Sequence, residues 1–340
     1  MSTVKAVNLQ HPNSSNINMV LGADGSVSGG IPAGGRNRII NGGFDVWQRG
    51  TSFSSGGIYT ADRWFVAAAS GQTVTVAQQS FTPGSAPVAG YEANTFARVT
   101  WSGTPTGTFW FSQKIEDVRT FAGQTVTISF WAKATSATTA LSVNIEQNFG
   151  SGGSTFVNTT TPSPLSITTS WQRFSTTVAI PSISGKTIGS GSYLEIRPLF
   201  GGSSVNGNSI DIWGVQVEAG NSPTPFEVKT FAQELRECQR YYYRINNWYG
   251  IIDTSTTIGA NAQFLQTMRV APVCTKISGS TLSYRTPAND GSSTSWTFSA
   301  STPTTTAVWF QISNLSGLTA GQATHNRGAG TDIVEASAEL

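Results

Sequence analysis

TVTISFWAKA (Thr125 to Ala134) decides the fold class. Val126, Ile128, Phe130 and Ala132 alternate with Thr127, Ser129, Trp131 and Lys133. That period of two belongs to a strand with one face on a core. The alternation recurs on either side. LSVNIEQNF sets Leu141, Val143, Ile145 and Phe149 on one face, and RFSTTVAIP sets Phe174, Val178 and Ile180 together. IDIWGVQVE reads as Trp213, Val215 and Val217 on one face, opposite Ile210 and Ile212. About eight such strands across residues 37–229 suit a jelly roll of two packed antiparallel sheets.

Outward from this block the chain divides into further parts. Residues 1–36 read as an extended N-terminal arm, in which Met19-Val20-Leu21 and Val27 flank an Asp24-Gly25 hairpin turn. Such an arm buries little by itself and would borrow a core from sister chains or a docking partner. Residues 230–244 read as a junction helix. Phe231, Leu235, Cys238 and Tyr242 form one apolar stripe, and Thr230 with Gln233 forms a capping box. Arg236, Arg240 and Arg244 follow one edge, either solvated or paired with Glu234 and Glu237. Residues 245–340 return to strand patterns in NNWYGIIDTS, ANAQFLQTMRVAP, STLSYRT, SWTFSA and AVWFQIS, with turns or loops over 286–293 and 316–330. The expected class is all-β: a jelly-roll β-sandwich plus a smaller distal β domain, joined by a short helix, with an extended N-terminal arm. No fixed repeat period argues for a solenoid or propeller.

Composition excludes several partners. Charged residues are 11% of the 340, the net charge is +2, and no dense Lys/Arg run exists, so no nucleic acid is expected. No run of about 18 apolar residues predicts membrane insertion. The opening MSTVKAVNLQHPNSS lacks the apolar segment of a signal peptide. Aromatics at 11% can build a core, so this is not a disordered composition. Cys238 and Cys274 have neither zinc-ligand spacing nor the number for a disulfide framework, and read as reduced thiols.

Catalytic vocabulary is sparse. Asp62, Glu116, Asp117, Glu146, Glu195, Asp211 and Glu218 are the carboxylates a glycosidase would draw on, and two would have to face each other across a cleft. Asp62-Arg63 reads instead as a local ion pair or turn cap. GSGSY (Gly189 to Tyr193) precedes a strand rather than a helix, unlike a hydrolase elbow. His11 and His325 fall in loops too far apart for a metal pair. No metal and no cofactor are expected, with a calcium ion on the sandwich left open. Sugar binding is the remaining chemistry, because sugar C–H faces stack on aromatic rings. Trp213 and Trp171 read as core. Trp248, Tyr249, Trp296 and Trp309 are the candidate carbohydrate-binding residues, Trp309 because it alternates against Val308, Phe310 and Ile312. Core packing or an interchain contact is the competing role for each.

Several motifs carry a family resemblance: RNRIINGGFDVWQRGTSFSSGGIYTADRWF (Arg36 to Phe65), VQVEAGNSPTPFE (Val215 to Glu227) and ELRECQRYYYR (Glu234 to Arg244). With SFWAKA, TTSWQRFSTTVAIP, YLEIRPLF, QTMRVAP and the ASAEL of residues 336–340, the chain resembles bacteriophage and prophage virion proteins of the tail-fibre and receptor-binding type. Such proteins carry a carbohydrate-binding-module-like jelly roll. The resemblance implies a non-enzymatic virion protein, a homotrimer that meets other virion proteins through its N-terminal arm. It further implies recognition of a host surface polysaccharide or lipopolysaccharide. A purely structural spacer in a collar, baseplate or capsid is the alternative, and a glycan-cleaving depolymerase a weaker one.

Overall fold

The computed structural model describes residues 8–10, 17–21, 27–28 and 35–340, apart from 89–90, 162–163, 202–206, 289, 302 and 328–332. Two sheets span residues 52–219. One runs Gln172–Ala179, Thr125–Ala134, Asn208–Ala219, Thr95–Thr106, Ser70–Ser80 and Ser52–Phe53 in spatial order. The other runs Val157–Thr160, Thr138–Asn148, Tyr193–Gly201, Phe109–Glu116, Trp64–Ala67 and Ile58–Tyr59, with Leu165–Ile167 also paired to Thr138–Asn148. Neighbours that are distant in sequence give the crossing order of a jelly roll. Val126, Ile128 and Phe130 from the first sheet share one core with Val143, Ile145, Leu194 and Phe111 from the second. Each such side chain contributes roughly 1.5–3 kcal/mol on burial.

One strand departs from simple alternation. Ile210 and Ile212 face the core, and so do Val215 and Val217. Trp213 sits on the opposite face, in a separate cluster with Phe81 and Phe96. The pairing with Thr125–Ala134 shifts between Ser129 and Trp131, a β-bulge that reverses the phase of the strand. Gly214 makes it possible. Its φ is +65°, and a Cβ there would stand 2.8 Å from Trp131 Cε3.

The helix covers Phe231–Gln239, with Thr230 Oγ1 accepting the Gln233 N–H. The Gln233 side chain reaches forward to Glu237 instead of completing the box. The expected apolar stripe is not what packs. Glu234 and Cys238 are buried, Phe231 is exposed, and Tyr242 already belongs to the strand Tyr242–Ile245. The helix is too short to carry the longer stripe. Arg240 binds Glu116 of the sandwich rather than Glu234 or Glu237, and Arg244 lies on the strand.

A three-stranded sheet follows, ordered Tyr242–Ile245, Val334–Ser337, Val273–Lys276. A seven-stranded sheet is ordered Asp290–Ser293, Leu282–Arg285, Ala323–Asn326, Tyr249–Thr254, Thr257–Gln263, Ala307–Ser313, Thr297–Ala300. Strands therefore occupy parts of two stretches expected to be loops, and His325 is a strand residue. Of the arm, Ile17–Leu21 pairs antiparallel with Val27–Ser28 and with Asn8–Gln10. The Asp24-Gly25 turn lies outside the described residues.

The motif residues build the joints between these parts. The Asn37 side chain bonds Val215 O and Val217 N, and Glu227 accepts from Asn37 N. Asn41 ties together Val46, Asp62 and Glu234. Asp62 accepts from Gln48, and Arg63 reaches Glu339 and Lys114 O, so the two do not form the local pair expected of them. Arg63 lies 3.4 Å from the Tyr241 ring centroid and Arg49 lies 3.6 Å from that of Tyr242. Leu340 O accepts from Tyr59 and Lys114.

Candidate glycan-binding face

The four aromatic candidates separate cleanly. Trp248 is 0% exposed and Trp296 is 1% exposed, so the expectation that they offer faces to a sugar is corrected. Trp248 precedes the strand Tyr249–Thr254 in phase with buried Ile252, and packs edge-on against Phe310. Trp296 is in phase with Phe298 and gives its indole N–H to Ser280 O at 3.1 Å. Tyr249 is 68% exposed and Trp309 is 44% exposed.

Register brings these two onto one platform. Tyr249 pairs with His325 on one side and Asn261 on the other, and Asn261 pairs with Trp309. Arg285 pairs with His325 at the next strand. Cross-strand partners share a face, so Arg285, His325, Tyr249, Asn261 and Trp309 form one exposed row across five adjacent strands. Tyr249 and Trp309 are two strand spacings apart, about 10 Å. Beneath them the sheet is held by Ile252, Ile258, Ala260, Val308, Phe310 and Ile312.

Gly259 sets the attitude of Trp309. A Cβ added there would come 3.0 Å from Trp309 Cζ2 and 2.8 Å from Asp253 Oδ2. The indole therefore lies across the glycine backbone instead of standing off the sheet.

Beside Tyr249 the row runs into a groove of about 430 Å³ lined by Asn246, Asn247, Asn261, Gln263 and Leu265 as well as Tyr249. Among the described residues no charged side chain lines it. Side-chain amides offer paired donors and acceptors to hydroxyls, and the rings offer C–H stacking. Asn246, Asn247, Asn261, Gln263 and His325 were not picked out from sequence as sugar contacts. The outward phase of Asn261 and Gln263 in ANAQ was the available signal.

The carboxylates are occupied. Glu146 and Glu195 face each other in register, but Arg197 bonds both, at 2.7 and 2.6 Å. Asp211 is held by Arg98 and lies 3.6 Å from Lys133. Glu218 accepts from Gln216 and Thr224. Burial pushes the Glu116 carboxyl up, yet hydrogen bonds from Arg240 and Tyr241 outweigh this and hold it below the ordinary range. Among the described residues no group of three or more His, Cys, Asp or Glu is placed to hold a metal ion.

The outer face of the six-stranded sandwich sheet also carries aromatics, Trp131 and Trp213. The chain's own Phe81, Tyr91 and Phe226 pack over them.

The architecture is that of an all-β protein with a jelly-roll sandwich. No protein-family model and no curated protein sequence matches the chain. Among solved structures, it is similar to the enzymatically active domain of Bacteriophage CBA120 tailspike protein 4, at 15% identity and TM-score 0.32, covering 54% of this chain and 22% of that one. This chain thus spans less than a quarter of the tailspike chain. It is also similar to the CBM22-1 xylan-binding domain of Paenibacillus barcinonensis Xyn10C, at 10% identity and TM-score 0.34, covering 57% of this chain and 100% of that one. A cyclase from Fischerella sp. TAU matches at 13% identity and TM-score 0.36, over 54% of this chain and 96% of that one. At these scores the likeness carries no functional weight.

Proposed function

We propose that the chain is a non-enzymatic carbohydrate-binding protein whose glycan platform is the exposed face of the distal seven-stranded sheet. The observation that carries this reading is the row Tyr249–Asn261–Trp309 beside an uncharged, amide-lined groove. Two rings about 10 Å apart support stacking of alternate sugars along a chain, with Asn261 between them for hydroxyls. The absence of charge in the groove favours a neutral stretch of glycan.

The sequence motifs support a place for this activity. In this reading the protein is a homotrimeric phage virion component, fixed to other virion proteins by its N-terminal arm. It presents the distal sheet to a host surface polysaccharide or lipopolysaccharide. Engagement of Glu146, Glu195, Glu116 and Asp211 in ion pairs supports binding without cleavage.

The test is an array of bacterial surface glycans probed with the full chain and with its Trp309→Ala and Tyr249→Ala variants. Selective capture by the native chain, lost in both variants, supports the platform. Capture that both variants retain, or no capture of any glycan by folded protein, refutes it.

A further inference from the structure

The exposed face of the distal sheet carries a charged group beside the row Tyr249–Asn261–Trp309. Asp253 follows Tyr249 and Ile251 at alternate positions of one strand, and all three are exposed. The pairing of this strand with Thr257–Gln263 runs Ile252 to Ile258 and then Thr254 to Thr257, so Asp253 is the residue left over at a register shift. A bulge of this kind re-aims a side chain.

Here the carboxylate turns over Gly259. A Cβ added to Gly259 would come 2.8 Å from Asp253 Oδ2 and 3.0 Å from Trp309 Cζ2. The carboxylate and the rim of the indole therefore meet above one bare stretch of backbone. Gly259 is buried although its phase is outward, because these two side chains roof it. Ile251, directly opposite Gly259 and 55% exposed, extends the apolar floor. The carboxylate itself is free: Asp253 has no hydrogen bond or ion pair to any described residue. It differs in this from Glu146, Glu195 and Asp211, which arginines hold.

We propose that Asp253 is the specificity-determining residue of the platform, accepting two adjacent hydroxyls of the sugar stacked on Trp309 and excluding an acidic sugar from that position. This rests on the distal-sheet reading of the preceding subsection. A sugar lying flat on an indole points its equatorial hydroxyls outward at the ring's rim, and the rim of Trp309 is where the carboxylate stands. An ionised carboxylate is an acceptor on both oxygens, and its bonds to hydroxyls are charge-assisted. A uronate ring in the same place would bring like charge against Asp253, which is discrimination by repulsion. The ligand class is thus a glycan that places a neutral sugar with a free vicinal diol over Trp309.

The test is an array that pairs neutral oligosaccharides with their uronate counterparts, galactose with galacturonate and glucose with glucuronate, alongside the bacterial surface glycans. It is probed with the full chain and with its Asp253→Asn, Asp253→Lys and Trp309→Ala variants at matched melting temperature. Asp253→Asn keeps the shape and removes the charge. Capture of neutral glycans is expected to exceed that of their uronate counterparts, and to weaken by about tenfold in Asp253→Asn. Asp253→Lys should move the preference towards uronates, which a merely structural role would not do. Capture lost in Trp309→Ala but intact in Asp253→Asn would leave the platform standing and overturn the role of Asp253. An unchanged preference in Asp253→Lys, or equal capture of neutral and uronate chains by the native protein, would overturn it as well. Capture of no glycan by the folded native chain refutes the platform and Asp253 together.

Discussion

Glu339 is bonded to Arg63, a residue 276 positions earlier in the chain. The pair is buried, and Arg49 joins it at 3.0 Å from the second carboxylate oxygen. Tyr241 and Tyr242 cover the two guanidinium groups. Strands of the distal domain are thereby fastened to the WQRG and ADRW segments of the sandwich. Removing one partner of such a pair leaves a buried charge uncompensated. Glu339→Ala should therefore destabilise the fold by about 3–5 kcal/mol, measured by denaturant unfolding, and should loosen the joint in hydrogen exchange at Tyr241–Tyr243.

Gly214 is the pivot of the sandwich sheet. Gly214→Ala places a Cβ against Trp131 at an unfavourable φ. A loss of about 2 kcal/mol or more is expected from strain plus overpacking. Unfolding curves for Gly214→Ala and for Gly220→Ala make the comparison. Gly220 also has positive φ, but open space around it, so its cost should be the smaller.

The two kinds of tryptophan in the distal domain should behave oppositely. Trp248→Ala empties a core site and should cost about 3–5 kcal/mol. Trp309→Ala removes a half-exposed ring and should stay within about 0.5 kcal/mol. Thermal melts of the two variants side by side decide the matter.

Stability should depend on pH through the helix junction. Burial pushes Asp45 up to about 6, and Glu234 up to about 7, the latter opposed by Lys229 and the Asn41 N–H. A carboxyl whose folded value lies above its unfolded one favours the folded state at low pH and loses that contribution as pH rises through the folded value. The window is therefore about pH 4 to 7. The chain should be more stable at pH 5 than at pH 8, by about 1–3 kcal/mol. Glu234→Gln should raise stability at pH 8 and flatten the profile. A native chain with no stability change between those pH values would rule this out.

Alternation made the inward faces of the sandwich legible: Val126 to Ala132 and Leu141 to Phe149 are where the pattern puts them. It also made Trp309 legible, because its neighbours Val308 and Phe310 are unambiguously apolar. Trp213 was misphased because a bulge inserts one residue without changing the apolar tally. Trp248 and Tyr249 cannot both face a sugar, because successive strand residues point to opposite faces. The platform itself was not legible. It depends on the register of Tyr249 with Asn261 and of Asn261 with Trp309, and strand pairing is a property of the assembled sheet. The joint at Glu339 was hidden for the same reason, since its partners are far apart in sequence.

Gly259 offers a subtler probe of the platform. Gly259→Val should lift the Trp309 ring without removing it. Glycan capture should fall while the ring remains present, as read by the same array and by the exposure of indole fluorescence to quencher.

The most direct measurement is calorimetric titration of the native chain with the glycan it captures best, repeated with Tyr249→Ala, Asn261→Ala and Trp309→Ala at matched melting temperature. Each substitution should weaken binding at least tenfold, about 1.4 kcal/mol. Native affinity in all three folded variants would contradict a glycan platform on the distal sheet.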